Sequence, residues 1–256
     1  MTRLRLTAVG CTTLLWAGMA LGTQSAQEKC DSARITAWKT YLSCVDTVVV
    51  KDVEGASFDE EAAFTNCRHT YFKNWTAFQP KASLAGSTCI GSRFTVTDSG
   101  ATVTDGLTRL VWELKTGTVG GGTDFSNPEN VNNTYSWSMG SPYAENGTAF
   151  TTFLTAGLNA PGFAGANGWR LPTLAELQTI VLDFPCTGAG EGPTCSCGTS
   201  PCIDGTFGPT QSGNYWSATS YVPFPDGAWG VGFGTGFVDS FTKSLGLYVR
   251  AVRGGL

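Results

Sequence analysis

Gly168-Trp169-Arg170-Leu171-Pro172-Thr173-Leu174-Ala175-Glu176-Leu177 is the stretch on which the reading of this chain turns. Thr173 and Glu176 are spaced as a capping box, in which the hydroxyl takes an N–H of the first helical turn and the carboxylate reaches back to the cap. Leu174, Leu177, Ile180 and Val181 then give the helix a buried face. Just upstream, Thr148 to Asn159 carries Phe150, Phe153, Leu154 and Leu158 on one face and reads as a short amphipathic helix.

On either side of these two helices the period changes to two. Phe94-Thr95-Val96-Thr97 alternates, Asp98-Ser99-Gly100 turns, Ala101-Thr102-Val103-Thr104 alternates again, Asp105-Gly106 turns, and Leu107 to Leu114 runs on as a third strand. Residues 116 to 146 are rich in Gly, Asn, Ser and Thr and read as loop. Downstream, Tyr215 to Thr219, Ala228 to Phe233, Gly236 to Phe241 and Leu247 to Val252 read as strands of one twisted antiparallel sheet. The whole is α+β.

Four segments in this order and spacing resemble one known family. They are Val103-Thr104-Asp105 with Leu110-Val111-Trp112-Glu113, the Gly168–Leu177 stretch, Tyr215-Trp216-Ser217, and the closing Tyr248-Val249-Arg250-Ala251-Val252-Arg253. Residues 93 to 256 resemble the DUF1566 family, the Legionella collagen-like protein C-terminal domain. Arg109 departs from the pattern, which has Gly between the Thr and the Leu. The resemblance implies a C-type-lectin-like fold, with two helices on a twisted, loop-rich antiparallel sheet. It also implies a mostly non-enzymatic, secreted or surface-exposed module; some relatives bind sulfated glycans or act as adhesins. Asp105, Trp112, Trp169, Arg170, Pro172, Glu176, Trp216, Arg250 and Arg253 are the structural positions of the motifs. The formylglycine-generating enzymes share the fold superfamily and a similar Trp-Arg-Leu-Pro-Thr stretch. Fold alone does not fix function.

Residues 27 to 90 read as a helical hairpin. Ile35, Trp38, Leu42, Val45 and Val49 make one apolar stripe, Gly55 breaks the chain, and Ser57 to Glu60 is another capping box. Phe64, Cys67, Tyr71, Trp75 and Phe78 continue at helical spacing up to Pro80. An antiparallel hairpin sets the end of its first helix against the start of its second. Cys44 then meets Cys67, and Cys30 meets Cys89 beyond the far end. Four more cysteines, Cys186, Cys195, Cys197 and Cys202, fall late, which suggests two separately stapled regions. A Cys195–Cys197 bridge is the most strained of their pairings; a thiolate metal cluster is the other reading of the four.

The first 26 residues read as a secretory signal peptide: Arg3 and Arg5, an apolar run from Leu6 to Leu21, then small residues. A lipoprotein site at Cys11 and a short membrane anchor are the alternatives. The run is shorter than the roughly 20 residues a span needs, so the mature protein is expected in the periplasm, at the cell surface or outside. An even cysteine count in an exported chain reads as disulfides.

The 256 residues carry a net charge of −4 and only one histidine, His69. That argues against a His-based zinc site, a Ser-His-Asp triad and a nucleic-acid partner. Residues 91–256 hold seven basic and twelve acidic side chains, so a broad basic cradle for sulfated polymers is not visible. The calcium-lectin triplets are absent; Asn127-Pro128-Glu129-Asn130 has the residue types in another order and reads as a turn. No cofactor, catalytic residue or metal ligand is expected, and a structural calcium ion has no support in the sequence.

Two surfaces are candidates for a ligand. One is the cystine-stapled, Gly-rich loop 186–213. The other is the segment Tyr221-Val222-Pro223-Phe224-Pro225-Asp226-Gly227 followed by Trp229, with Tyr221, Phe224, Asp226 and Trp229 as tentative contacts. The leading functional expectation is non-catalytic recognition of an extracellular glycan or other ligand. A structural or accessory subunit of a cell-surface assembly is the alternative, and a formylglycine-type oxidase a remote one.

Overall fold

The computed structural model describes residues 26–53, 63–64, 66–67, 69–71, 73–74, 93–106, 108–181 and 200–255. The signal peptide, the 57–60 capping box, Trp75, Phe78, Pro80, Cys89, Cys186, Cys195 and Cys197 lie outside them.

Two antiparallel sheets replace the single one expected. The first has strand order β1 (Phe94–Thr97), β2 (Thr102–Asp105), β3 (Leu110–Glu113), β7 (Val252–Gly254). The second comprises β4 (Asn214–Tyr221), β5 (Gly227–Gly232) and β6 (Val238–Thr242) in that order. The strand expected over Leu247–Val252 is not continuous. Leu247 pairs with Tyr135, Tyr248 lies beside Tyr215, and only from Val252 does the chain join β3. The segment crosses from one sheet to the other and shares its hydrogen bonds among Tyr135, β4, Arg170 and β3, a long-range division that alternation of residue types does not encode.

The capping box forms as read. Thr173 Oγ1 accepts from Glu176 N and Glu176 Oε2 accepts from Thr173 N, starting α3 (Leu174–Thr179). Arg170 grips the same carboxylate with two nitrogens at 2.7 and 2.8 Å, a bidentate pair that fixes the strand-to-helix turn. The helix expected near 148–159 is Ala149–Asn159, wound in the wider π pattern, with Ala149, Phe153, Leu154 and Leu158 buried. Trp112, Trp169 and Trp216 are buried core residues. Asn127 to Asn130 is a turn, with Asn130 N donating to Asn127 O.

The hairpin is helical where described. α1 spans Ala26–Val53, α2 includes the described residues between 63 and 74, and a Cys44–Cys67 disulfide joins them. The α1 stripe is turned from the expected one. Ala37, Trp38, Tyr41, Val45 and Val48 are buried, while Ile35 and Leu42 are only half-buried. The cause is a second packing partner. The Tyr41 hydroxyl donates to Gln178 of α3 at 2.8 Å, and the Phe64 ring stands edge-on to Trp229 of β5 at 5.7 Å. One core cluster thus includes residues of both hairpin helices together with Leu174, Leu177, Trp229 and Val231. Cys202 is disulfide-bonded as well.

Candidate functional site

The tentative contacts divide. Trp229 is a correction: β5 is buried along its whole length and the indole is only 5% exposed. The hairpin covers the face of β5 that the sequence left open to solvent, so this ring is not offered to a ligand. Tyr221 is half-buried, between Trp229 (centroids 4.9 Å) and Phe224 (5.7 Å). Phe224 is 62% exposed, resting on Tyr221 with its outer side in water. Asp226 is half-buried at the end of the same loop. Of loop 186–213 only residues 200–213 are described.

A second loop joins this surface, and one lysine joins the two. Lys243, just past β6, is 3% exposed. Its Nζ donates to Pro225 O at 2.9 Å, Ser220 Oγ at 3.0 Å and Tyr143 O at 3.2 Å. Its backbone N donates to Asp226 O, and its carbonyl accepts from Trp137 N and Ser138 N. The ammonium lies 4.1 Å from the centroid of Trp137, an attraction that strengthens when desolvated. Burial pulls the Lys243 ammonium below its ordinary value, with Glu145 and Asp226 acting in the opposite direction.

Lys243 therefore locks loop 138–146 to loop 222–226. The neck of the first loop is narrow: Gly147 N donates to Trp137 O and Ala149 N to Ser136 O. A Cβ on Gly147 would collide with the Ser136 carbonyl oxygen, which is why that position is glycine. Inside the loop, Asn146 Oδ1 accepts from Met139 N and Ser138 Oγ.

The outer surface of this double loop is apolar with an acidic rim. Met139 is 79% exposed and Val222 43%, and Glu145 is exposed. Lys243, Met139 and Tyr143 were not found from the sequence. Lys243 works through carbonyls up to 100 positions away, and backbone acceptors leave no residue signature.

A second polar cluster is interior. Lys115 pairs with Glu113 at 2.7 Å, both buried, and lies 4.4 Å from the Phe153 centroid. Arg250 donates to the Glu113 and Phe207 carbonyls and to Thr210 Oγ1, while Glu113 Oε2 accepts from Ala251 N. Burial lowers Lys115 and Arg250, with Glu113 opposing it in both cases. These groups are shut from solvent and joined to one another, so they tie β3 to the closing segment and offer nothing to a substrate. Arg253 reaches Asp98 and stacks over Trp169; Arg93 pairs with Asp105. The described residues contain no group of three His, Cys, Asp or Glu side chains placed to hold a metal ion.

The family model of the Lcl C-terminal domain matches residues 101–253. This chain belongs to that family. The match covers β2 to β6, most of β7, α3 and the Lys243 double loop; the hairpin and β1 precede it. No curated protein and no solved structure matches the chain. In this member of the Lcl C-terminal domain family Arg109, where the pattern has Gly, has φ +62°. That is the left-handed region glycine occupies freely, so the departure is a non-glycine residue in a glycine conformation.

Proposed function

We propose that this chain is an exported, non-enzymatic recognition module that takes its extracellular ligand on the double loop around Lys243. The observation that carries the reading is Phe224. A large ring is held 62% exposed on an ordered bed of Tyr221 and Trp229, between two loops that a single buried ammonium fixes. Surface loops positioned by a rigid scaffold are the usual seat of recognition, and a pre-ordered aromatic anchor loses little entropy on binding. Export is supported by the leader pattern of residues 1–26 and by the disulfides.

A C-type-lectin-like arrangement accords with two antiparallel sheets, one helix packed on the second sheet, and long loops between them. An accessory role in a surface assembly uses the same face with a protein in place of a free ligand.

The test uses the full chain, expressed with its own leader and purified as the exported product. It is probed with arrayed neutral and sulfated glycans, with and without calcium, and with a phage-displayed dodecapeptide library. Binding that falls at least tenfold on Phe224→Ala supports the reading. Binding indifferent to Phe224→Ala, or no binding to either probe, removes it.

A further inference from the structure

The chemistry left free on the double loop narrows the ligand. Lys243 Nζ carries three protons, and Tyr143 O, Ser220 Oγ and Pro225 O take them. Asn146 Oδ1 is occupied by Met139 N and Ser138 Oγ. The Lys243 ammonium and Asn146 Oδ1 are thus engaged within the protein. What is exposed is the Phe224 ring, Met139, Val222 and Glu145, with Asp226 half-buried at the end of the second loop.

Cations are short across the whole domain. Lys115, Lys243 and Arg250 are buried; Arg93, Arg170 and Arg253 are paired with Asp105, Glu176 and Asp98. Among the described residues of 93–255, Arg109 is the one cation neither buried nor paired. It lies in the turn before β3, in the other sheet.

We infer that the double loop, which exposes Phe224, Met139, Val222 and Glu145 and carries the half-buried Asp226, docks a cationic apolar segment of a protein partner, in which lysine or arginine stands beside large apolar side chains. The inference rests on the recognition reading above and specifies the ligand's class. The apolar side chains cover Phe224, Met139 and Val222, and the basic groups meet the two carboxylates. Charge complementarity of this kind sets partner choice and on-rate, and the anchor is the aromatic residue at the centre. A sulfated polymer meets repulsion on the same surface.

The dodecapeptide library is selected against the full exported chain, and the dominant peptide is synthesised and titrated. Selected sequences are expected to combine Lys or Arg with Phe, Trp, Leu, Ile or Met. The charge-reversing double variant Glu145→Lys/Asp226→Lys is expected to weaken the peptide about tenfold or more, and Phe224→Ala likewise. Phe224 and Glu145 are exposed and Asp226 is half-buried, and melting curves of both variants report whether the fold survives. Peptides that are neutral or acidic, or a basic peptide indifferent to the charge reversal, overturn the inference. If those peptides, or a bound glycan, still depend on Phe224, the recognition reading stands and only the ligand class is wrong. A library that yields nothing displaced by soluble chain overturns the inference, and a blank glycan array beside it overturns the recognition reading as well.

Discussion

Tyr41 on α1 donates a 2.8 Å hydrogen bond to Gln178 on α3, 137 positions along the chain. Both side chains are buried, and Gln178 Nε2 has no partner of its own. The bond is a polar contact through which the hairpin meets the domain. A buried acceptor that loses its donor costs about 1–3 kcal/mol, whereas removing both partners costs far less. Tyr41→Phe is therefore expected to lower unfolding stability by that amount in urea at unchanged m-value. Adding Gln178→Leu should restore much of it. A double variant as unstable as the sum of the singles would show that the bond is not what couples them.

Arg109 is exposed at φ +62°, in a turn where its N–H bonds to Asp105 O. An L side chain there costs about 1–2 kcal/mol, and glycine returns part of that gain through a freer unfolded chain. Arg109→Gly is expected to stabilise the protein by about 0.5–1 kcal/mol, read as a rise in Tm.

Lys243→Met keeps the length of the side chain and removes its three protons. The carbonyls of Tyr143 and Pro225 then lose their shared donor. Stability is expected to fall by about 1.5–3 kcal/mol, the range for bonds from a charged group. The sharper readout is local: amide exchange should quicken in 138–146 and 221–227 while β2 and β3 keep their protection. Uniform quickening across the domain would show that Lys243 supports the core as a whole.

Glu129 is half-buried, and desolvation, then the nearby Glu113 charge, raise its carboxyl above the ordinary 4.5, with Lys115 opposing. The folded state thus holds this proton more tightly than the unfolded state, so stability falls as pH rises from 4.5 through the folded value. Glu129→Gln is expected to raise Tm at pH 7. The advantage should vanish below about pH 4.5, where both states are protonated. A gain independent of pH would mean that the carboxylate charge is not its source.

The local elements were the legible ones. The Thr173–Glu176 box, the first two strands and the Cys44–Cys67 pairing each depend on residues close in sequence or on one hairpin's geometry, and each stands within a residue of where spacing put it; the third strand, read from Leu107, begins at Leu110 because the turn runs on through Arg109. Trp229 was misread for a physical reason. Its strand, Gly227–Gly232, is buried on both faces, and the second cover comes from a hairpin more than 150 residues upstream. The half of the double loop on 221–227 could be guessed from its aromatic and acidic residues. The half on 138–146 could not, because only Lys243's long-range bonds bring it alongside.

The pairing register of the first sheet also has a mechanical side. Phe94 opens β1 opposite Asp105, and Leu110 pairs with Gly254 near the end of β7. The domain's chain therefore enters and leaves at the same end of that sheet. Tension between these two points would peel β1 from β2 and β7 from β3 one hydrogen bond at a time, instead of shearing a whole ladder at once. A load applied there would be released at the root of the domain before the loops around Lys243 deformed.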